Sequence, residues 1–256
     1  MLLFHTMIER KRLSIQKISG LLSVALLLLL SGGNAAAQSG DVSAGGASTS
    51  GSSVVRSGSK FVIARVKYEG GGDWYNDPSS ELNMLRFLKQ QTDIDVDVRT
   101  EQYVEVGSEK LFSYPFVFMT GHGSISLTDR EAQNLRSYLE NGGFLYVDDD
   151  YGFDKAFRRE LKKVFPEKEL VELPFSHGIY HVHYDFPNGL PKIHEHDKKP
   201  PQGYGIFHEG RLVLFYTYES NLADGWADPD VHKNPEEVRQ KALRMGLNII
   251  VWALTQ

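Results

Sequence analysis

The chain predicts an α/β domain: a doubly wound, mostly parallel sheet with helices on both faces and a β-rich insertion in its second half. Three observations predict this fold. Apolar, β-branched runs alternate with segments of helical period. The run from Pro115 to Gly121 is continuously apolar, as strands covered on both faces are. Several runs also end in turns rich in Gly, Asp and His, as expected where strand ends share one edge.

The elements follow in order. "FVIARVKYE" (Phe61 to Glu69) is a strand that stops at Gly70, Gly71 and Gly72, and Leu82, Leu85 and Leu88 set a helix over Pro78 to Gln90. "IDVDVRT" alternates Ile94, Val96 and Val98 with Asp95, Asp97 and Arg99, which predicts a half-buried strand. Thr128 and Glu131 form a capping box with Leu127 and Ala132 as its staple, and Leu135 and Leu139 carry that helix to a stop at Asn141 and Gly142. The strand "GFLYV" follows, then a helix from about Phe153 with Phe157, Leu161 and Val164 on one stripe. Leu170 to Thr217 reads as strand-rich, with a hairpin at "FHEGRL". The last helix opens with Asn234 as cap, Pro235 in the first turn and Glu237 completing the box, and runs apolar to the end.

Two segments precede the domain. Residues 1–37 read as a cleaved signal peptide: Arg10, Lys11, Arg12 and Lys17, the apolar run Leu21 to Leu30, then Ala35, Ala36 and Ala37 as the cleavage site. That run is too short to span a bilayer, which takes about 20 residues. Membrane contact is expected only through this segment, if it stays uncleaved. Residues 38–59 are dominated by Gly, Ser and Ala without periodicity, a linker expected to be disordered with a reach of roughly 25 Å. Residues 60–256 form the single folded domain. The mature protein is expected to be exported, to the periplasm or the extracellular space.

Composition removes several function classes. The chain has no cysteine, hence no disulfide, no thiolate metal site and no Cys nucleophile. Removing residues 1–37 takes away four bases and one acid, so the formal charge moves from −5 to −8. Such an acidic domain lacks the general attraction to phosphate backbones, and nucleic acid is not an expected partner. No G-x-S-x-G elbow and no G-x-x-x-x-G-K-[ST] phosphate loop occurs.

Candidate ligand-binding residues gather at three strand ends. The turns are "EGGGDWYND", "TGHGS" and "DDDYG", and in a parallel sheet they open on one edge. Asp73, Trp74, Tyr75, His122, Asp148, Asp149, Asp150 and Tyr151 are therefore expected to share a crevice, and Trp226 in "ADGWAD" is a further stacking candidate. One acid after a buried strand commonly caps the next helix and a second pairs with Arg158 or Arg159, but a third has no such local account. A separate metal option comes from the five histidines between His177 and His196, where His181 and His183 would share a strand face and join His177 around a divalent ion. The alternative is that Tyr180, Val182 and Tyr184 form the buried face and these histidines point to water.

The stretches "GGGDWY", "TGHG", "LRSYLENGGFLYVDDDYG", "FRRELKKVFP", "GIFHEGRLVLFYTYESNLADGW" and "ALRMGLNIIVWAL" resemble the bacterial family called domain of unknown function 4159, from about Lys60 to Gln256. That family in turn resembles class I glutamine amidotransferase-like domains, of flavodoxin-like doubly wound fold. The resemblance implies a nucleophile position on a sharp turn after a central strand, where this chain offers Asp149 or Asp150 instead of cysteine. Cys-dependent amidotransferase chemistry is excluded. The expectation is a non-enzymatic binding domain without a cofactor, its partner a small molecule, a glycan or an envelope protein. The alternatives are a metal-assisted hydrolase using the Asp/His crevice, and a scaffold component of a cell-envelope complex. A chain beginning at Lys60 should melt at the same temperature as one beginning at Gln38; a shortened chain that fails to fold would show that the linker packs on the domain.

Overall fold

The computed structural model describes residues 60–256, so the expected signal peptide and linker lie outside the described residues. Seven strands form one sheet in the order β2-β1-β3-β4-β7-β6-β5: β1 (Ala64–Lys67), β2 (Gln102–Glu105), β3 (Phe116–His122), β4 (Phe144–Tyr151), β5 (Val171–Glu172), β6 (Gln202–His208) and β7 (Arg211–Tyr218). The pairs β1–β2, β1–β3, β3–β4 and β4–β7 are parallel. The pairs β6–β7 and β5–β6 are antiparallel, and Glu209 and Gly210 (φ 49° and 81°) make the predicted hairpin turn between β6 and β7. The predicted α/β class holds, with a mostly parallel sheet and its antiparallel strands at the C-terminal end.

Period-two alternation in β3 and β4 divides the core into two layers. Phe116, Phe118, Phe144 and Tyr146 face one side, under helices α1 (Ser80–Gln91), α4 (Leu222–Trp226) and α6 (Glu236–Thr255). Val117, Met119, Leu145 and Val147 face the other, under α2 (Asp129–Glu140) and α3 (Asp154–Val164). Phe157, Leu161 and Val164 bury the stripe that their spacing predicts. The Thr128–Glu131 capping box forms, and Leu127 and Ala132 are buried in the same layer. A four-residue helix, α5 (Pro229–His232), sits between α4 and α6. Among the described residues, no helix is long and apolar enough to cross a membrane.

Four expectations are corrected. The strand placed at Ile94 to Thr100 is a single bridge, Phe61 to Val96; Asp97 accepts the backbone and guanidinium N–H groups of Arg99 and turns the chain, so the edge strand forms later, at Gln102–Glu105. The three aspartates belong to β4 itself and are buried, not looped out. His181 and His183 are not on a strand, because the chain makes a short 3₁₀ turn at Gly178–Tyr180 and runs irregularly up to β6. The last helix begins at Glu236 with no side-chain cap, and Asn234 instead donates to the carbonyl of Asp224.

Gly121, near the end of β3, lets the loop after β1 close over the sheet. Its φ of +148° is one that side chains disfavour, and a Cβ there would overlap Tyr68 Oη, itself bonded to the Thr120 carbonyl at 3.0 Å. Gly121→Ala should therefore cost about 1–3 kcal/mol of stability in urea unfolding. A variant as stable as the parent would show that the loop yields freely.

Candidate functional site

The site is built at the carboxyl edge of β1, β3, β4 and β7. After β1 the chain turns through three glycines into Asp73, Trp74, Tyr75, Asn76 and Asp77. A buried guanidinium braces that loop. Arg65 and Glu81 are 1% and 4% exposed and paired side by side, and burial raises the Glu81 carboxyl above its ordinary range even so. The Arg65 guanidinium also donates to the carbonyls of Trp74 and Asp77, both at 3.2 Å, and to that of Asn76. Removing either partner of such a pair leaves a stranded charge, so its role is to fix geometry more than to add stability.

Across the edge, the three aspartates of β4 take different routes. Asp148 follows Tyr146 toward the α1/α4/α6 side, where its oxygens accept Thr217 Oγ1 at 2.5 Å and the Ala223 amide at 2.8 Å. Asp149 is on the α2/α3 side, accepting the Phe153 amide at 3.0 Å at the start of α3. Asp150 falls at a β-bulge: Gly121 pairs with Asp149 and His122 with Tyr151, which leaves Asp150 unmatched. Its carboxylate accepts from Asn221 Nδ2 at 2.8 Å and from Asn76 Nδ2. His122 bridges the acids at the rim, with Nδ1 3.0 Å from Asp73 Oδ2 and Nε2 3.4 Å from Asp150 Oδ2.

The exit of β7 completes the arrangement. Glu219 and Asn221 adopt left-handed backbone (φ 58° and 57°), which brings Asn221 under Asp150 and starts α4 with Asp224 inside. Asp224 Oδ2 lies 3.0 Å from His194 Nδ1, and its Oδ1 lies 3.7 Å from His232 Nε2, which also sits 2.7 Å from Asp77 Oδ1. Burial pushes the Asp148 and Asp149 carboxyls up to about 7. Burial, followed by the charges of Asp150, Asp77 and Asp148, pushes Asp224 up to about 9. Four buried polar atoms here have no hydrogen-bond partner: Asn76 Oδ1, Asn221 Oδ1, Asp224 Oδ1 and His196 Nε2. In a folded interior such atoms are uncommon and call for an explanation.

The residues expected to share the crevice are partly brought together. Asp73, His122 and Asp150 meet, with Asp148 beneath. Tyr151 lies half exposed, stacked on His196 at 4.6 Å between ring centres. Trp74 packs edge-on against Tyr75 and Tyr103 beside a cleft of about 540 Å³ that Lys67 and Glu105 also line. Trp226 is corrected to a core residue: it is 1% exposed, tilted against Phe118 and Tyr146, and donates Nε1–H to the Ala242 carbonyl. His177, His181 and His183 do not assemble as one ligand group. His181 is engaged by Asp185 Oδ1 at 2.5 Å and the Phe175 carbonyl at 2.7 Å, and His177 packs on Trp252. Asn76, Asp77, Asn221, Asp224 and His232 join the site beyond the residues expected from the sequence. "ND" directly after "GGGDWY", and "ESNLAD" at the end of β7, were the available signals, since both follow strands that open on this edge.

A family model described as "Domain of unknown function (DUF4159)" matches residues 62–254. No curated protein matches the chain.

Raised carboxyls give this fold an unusual pH response. Asp148, Asp149 and Asp224 hold protons in the folded state that they release near pH 4 when unfolded. Their contribution is full below pH about 4 and is lost as pH rises through about 7 for Asp148 and Asp149 and about 9 for Asp224. The ligand-free protein should therefore weaken from pH 5 to 9, by up to about 1.4 kcal/mol per pH unit for each such carboxyl. Asp224→Asn should flatten the upper part of that slope in urea unfolding. Stability that rises over the same interval would contradict this account of the buried acids.

Proposed function

The chain belongs to the DUF4159 family, and we propose that its domain is an exported, ligand-binding module that takes a positively charged group at the carboxyl edge of its sheet. One observation carries this reading. Asp73, Asp77, Asp148, Asp150 and Asp224 gather at one edge, and among the described residues no Lys or Arg side chain pairs with any of them. Their partners are imidazoles, side-chain amides, a hydroxyl and two backbone N–H groups, which orient a carboxyl group without bringing a lysine or arginine charge to it. A cationic ligand supplies the missing charge and displaces the protons that Asp148 and Asp224 hold without it, whether that ligand is a metal ion, an amine or the Lys or Arg side chain of an envelope partner.

The amidotransferase-like assignment is supported by β4 as the middle strand of the sheet and by the turn through Gly152 (φ 73°) that follows it. On that assignment Asp149 or Asp150, both just before this turn, would stand where those domains carry their nucleophile. Export is supported by the basic and apolar segments of residues 1–37. With no cysteine in the chain, the site has no thiolate to offer.

Calorimetric titration of the full chain with Zn²⁺, Mn²⁺, Mg²⁺ and spermidine tests the reading. At least one of these should bind, and Asp150→Asn should weaken it by about tenfold or more. Asp149→Ala should lose about 1 kcal/mol of stability through the start of α3, with binding unchanged, because its carboxylate is on the opposite face of the sheet. Binding that ignores Asp150→Asn, or no binding of any of the four, would overturn the reading.

A further inference from the structure

Resting on the cation-binding reading, we propose that the group captured is a divalent transition-metal ion held by Asp77, Asp224 and His232. Among the described residues, these three form the only group of His, Asp and Glu whose ligand atoms all lie within 4.8 Å of one another. His232 Nε2 is 2.7 Å from Asp77 Oδ1 and 3.7 Å from Asp224 Oδ1. Donors around a tetrahedral ion with bonds of about 2.1 Å sit about 3.4 Å apart, so the observed separations fall on either side of that edge length.

A second observation points to a ligand independently of the cluster. Asp224 is 2% exposed, and its Oδ1, the oxygen nearer His232, has no hydrogen-bond partner. A buried carboxyl oxygen left without a hydrogen-bond partner is costly, and a metal ion that displaces the group's proton removes that cost. The other oxygen of the same carboxylate is occupied by His194 Nδ1 at 3.0 Å, which fixes the group with Oδ1 free. Such an outer contact orients a ligating carboxylate. Asp77 is fixed too: its backbone is left-handed at φ 47°, and its carbonyl accepts from Arg65 at 3.2 Å.

The donor set selects the metal. One imidazole with two carboxylates suits zinc, manganese and their neighbours, whereas calcium and magnesium favour all-oxygen shells. Three protein donors leave a coordination position for water or a ligand, as in sites that act on something rather than only hold a fold together. Asp150, whose charge acts on Asp224, belongs to the same edge.

The test uses the full chain without an affinity tag, stripped with chelator, dialysed and titrated with Zn²⁺ and with Mn²⁺. A single tight ion per chain is expected, with Mg²⁺ and Ca²⁺ failing to compete at equal concentration. His232→Ala and Asp77→Asn should abolish binding, and His194→Ala should weaken it by about 10–100-fold. His181→Ala should bind as the parent does, since that ring is engaged by Asp185 and Phe175. Should His232→Ala fail to fold, Asp77→Asn decides, because it keeps the shape of the side chain. Zn²⁺ and Mn²⁺ bound unchanged by Asp77→Asn, or lost with His181→Ala, overturns the site. Spermidine bound in an Asp150-dependent manner with neither metal bound overturns the metal while the cation reading stands; no binding of any of them overturns both.

Discussion

A strand buried on both faces cannot carry three adjacent carboxylates unless each is given its own means of leaving water. That constraint shapes the carboxyl edge of this sheet. Alternation sends Asp148 and Asp149 to opposite faces, where one needs a hydroxyl from β7 and the other an amide from α3. Asp150 would be left against its neighbours, and the bulge opposite His122 sets it apart. The start of α3, the path of β7 into α4 and the left-handed turns at Glu219 and Asn221 each place a donor on one of these acids. A non-glycine residue held at positive φ costs of order 1–3 kcal/mol, so two of them within three residues mark a place where packing enforces a geometry that the local chain resists.

The opposite wall is braced by different chemistry. Arg65 reaches from β1 to Glu81 in α1 and uses its remaining N–H groups on the carbonyls of the loop between them. A loop carrying Asp73, Asn76 and Asp77 would otherwise be free at the surface. With its carbonyls held from below, it presents those side chains at fixed positions against β3, where the lack of a Cβ at Gly121 admits it. The helices and sheet thus supply a rigid frame, and the site consists of what that frame holds at one edge.

Much of this was present in the sequence. The continuous apolar run of β3, the capping box at Thr128 and the stripe of α3 each follow from local rules, and each forms as those rules require. The edge on which the crevice opens followed from parallel topology alone. What local rules could not provide was the depth of burial. "DDDYG" reads as a turn facing a crevice because three charges in a row look expensive to bury within a strand; the donors that make burial possible come from Asn76, Thr217 and Asn221, far along the chain. The histidine cluster misled for the converse reason. Proximity in sequence between His177 and His183 did not bring those rings into one ligand group, whereas His194 and His232, separated by 38 residues, converge on one carboxylate. A strand at Ile94 failed because Asp97 satisfies its own neighbourhood through Arg99, a competition that period alone does not weigh.

Three buried glutamates with structural tasks show a different treatment. Glu81 is paired with Arg65, Glu160 with Lys163 and Arg159, and Glu219 with Lys192 at 2.6 Å. Each of these glutamates is buried, and each is given a full positive charge. Asp148, Asp150 and Asp224 are buried as deeply and are given none beyond what an imidazole can carry. Lysine and arginine were within the means of this chain, so their absence from these three aspartates is a property of the site and not of the composition. Hydroxyl, amide and imidazole partners hold a carboxylate in place while leaving its field directed into the crevice, where low dielectric strengthens it. A cation entering there meets acids that are already oriented, and it takes the place of the protons that Asp148 and Asp224 otherwise hold. Asp149 is the exception, buried at the start of α3 with no base beside it; for the other buried acids, pairing with a lysine or arginine separates the scaffold of this protein from its site.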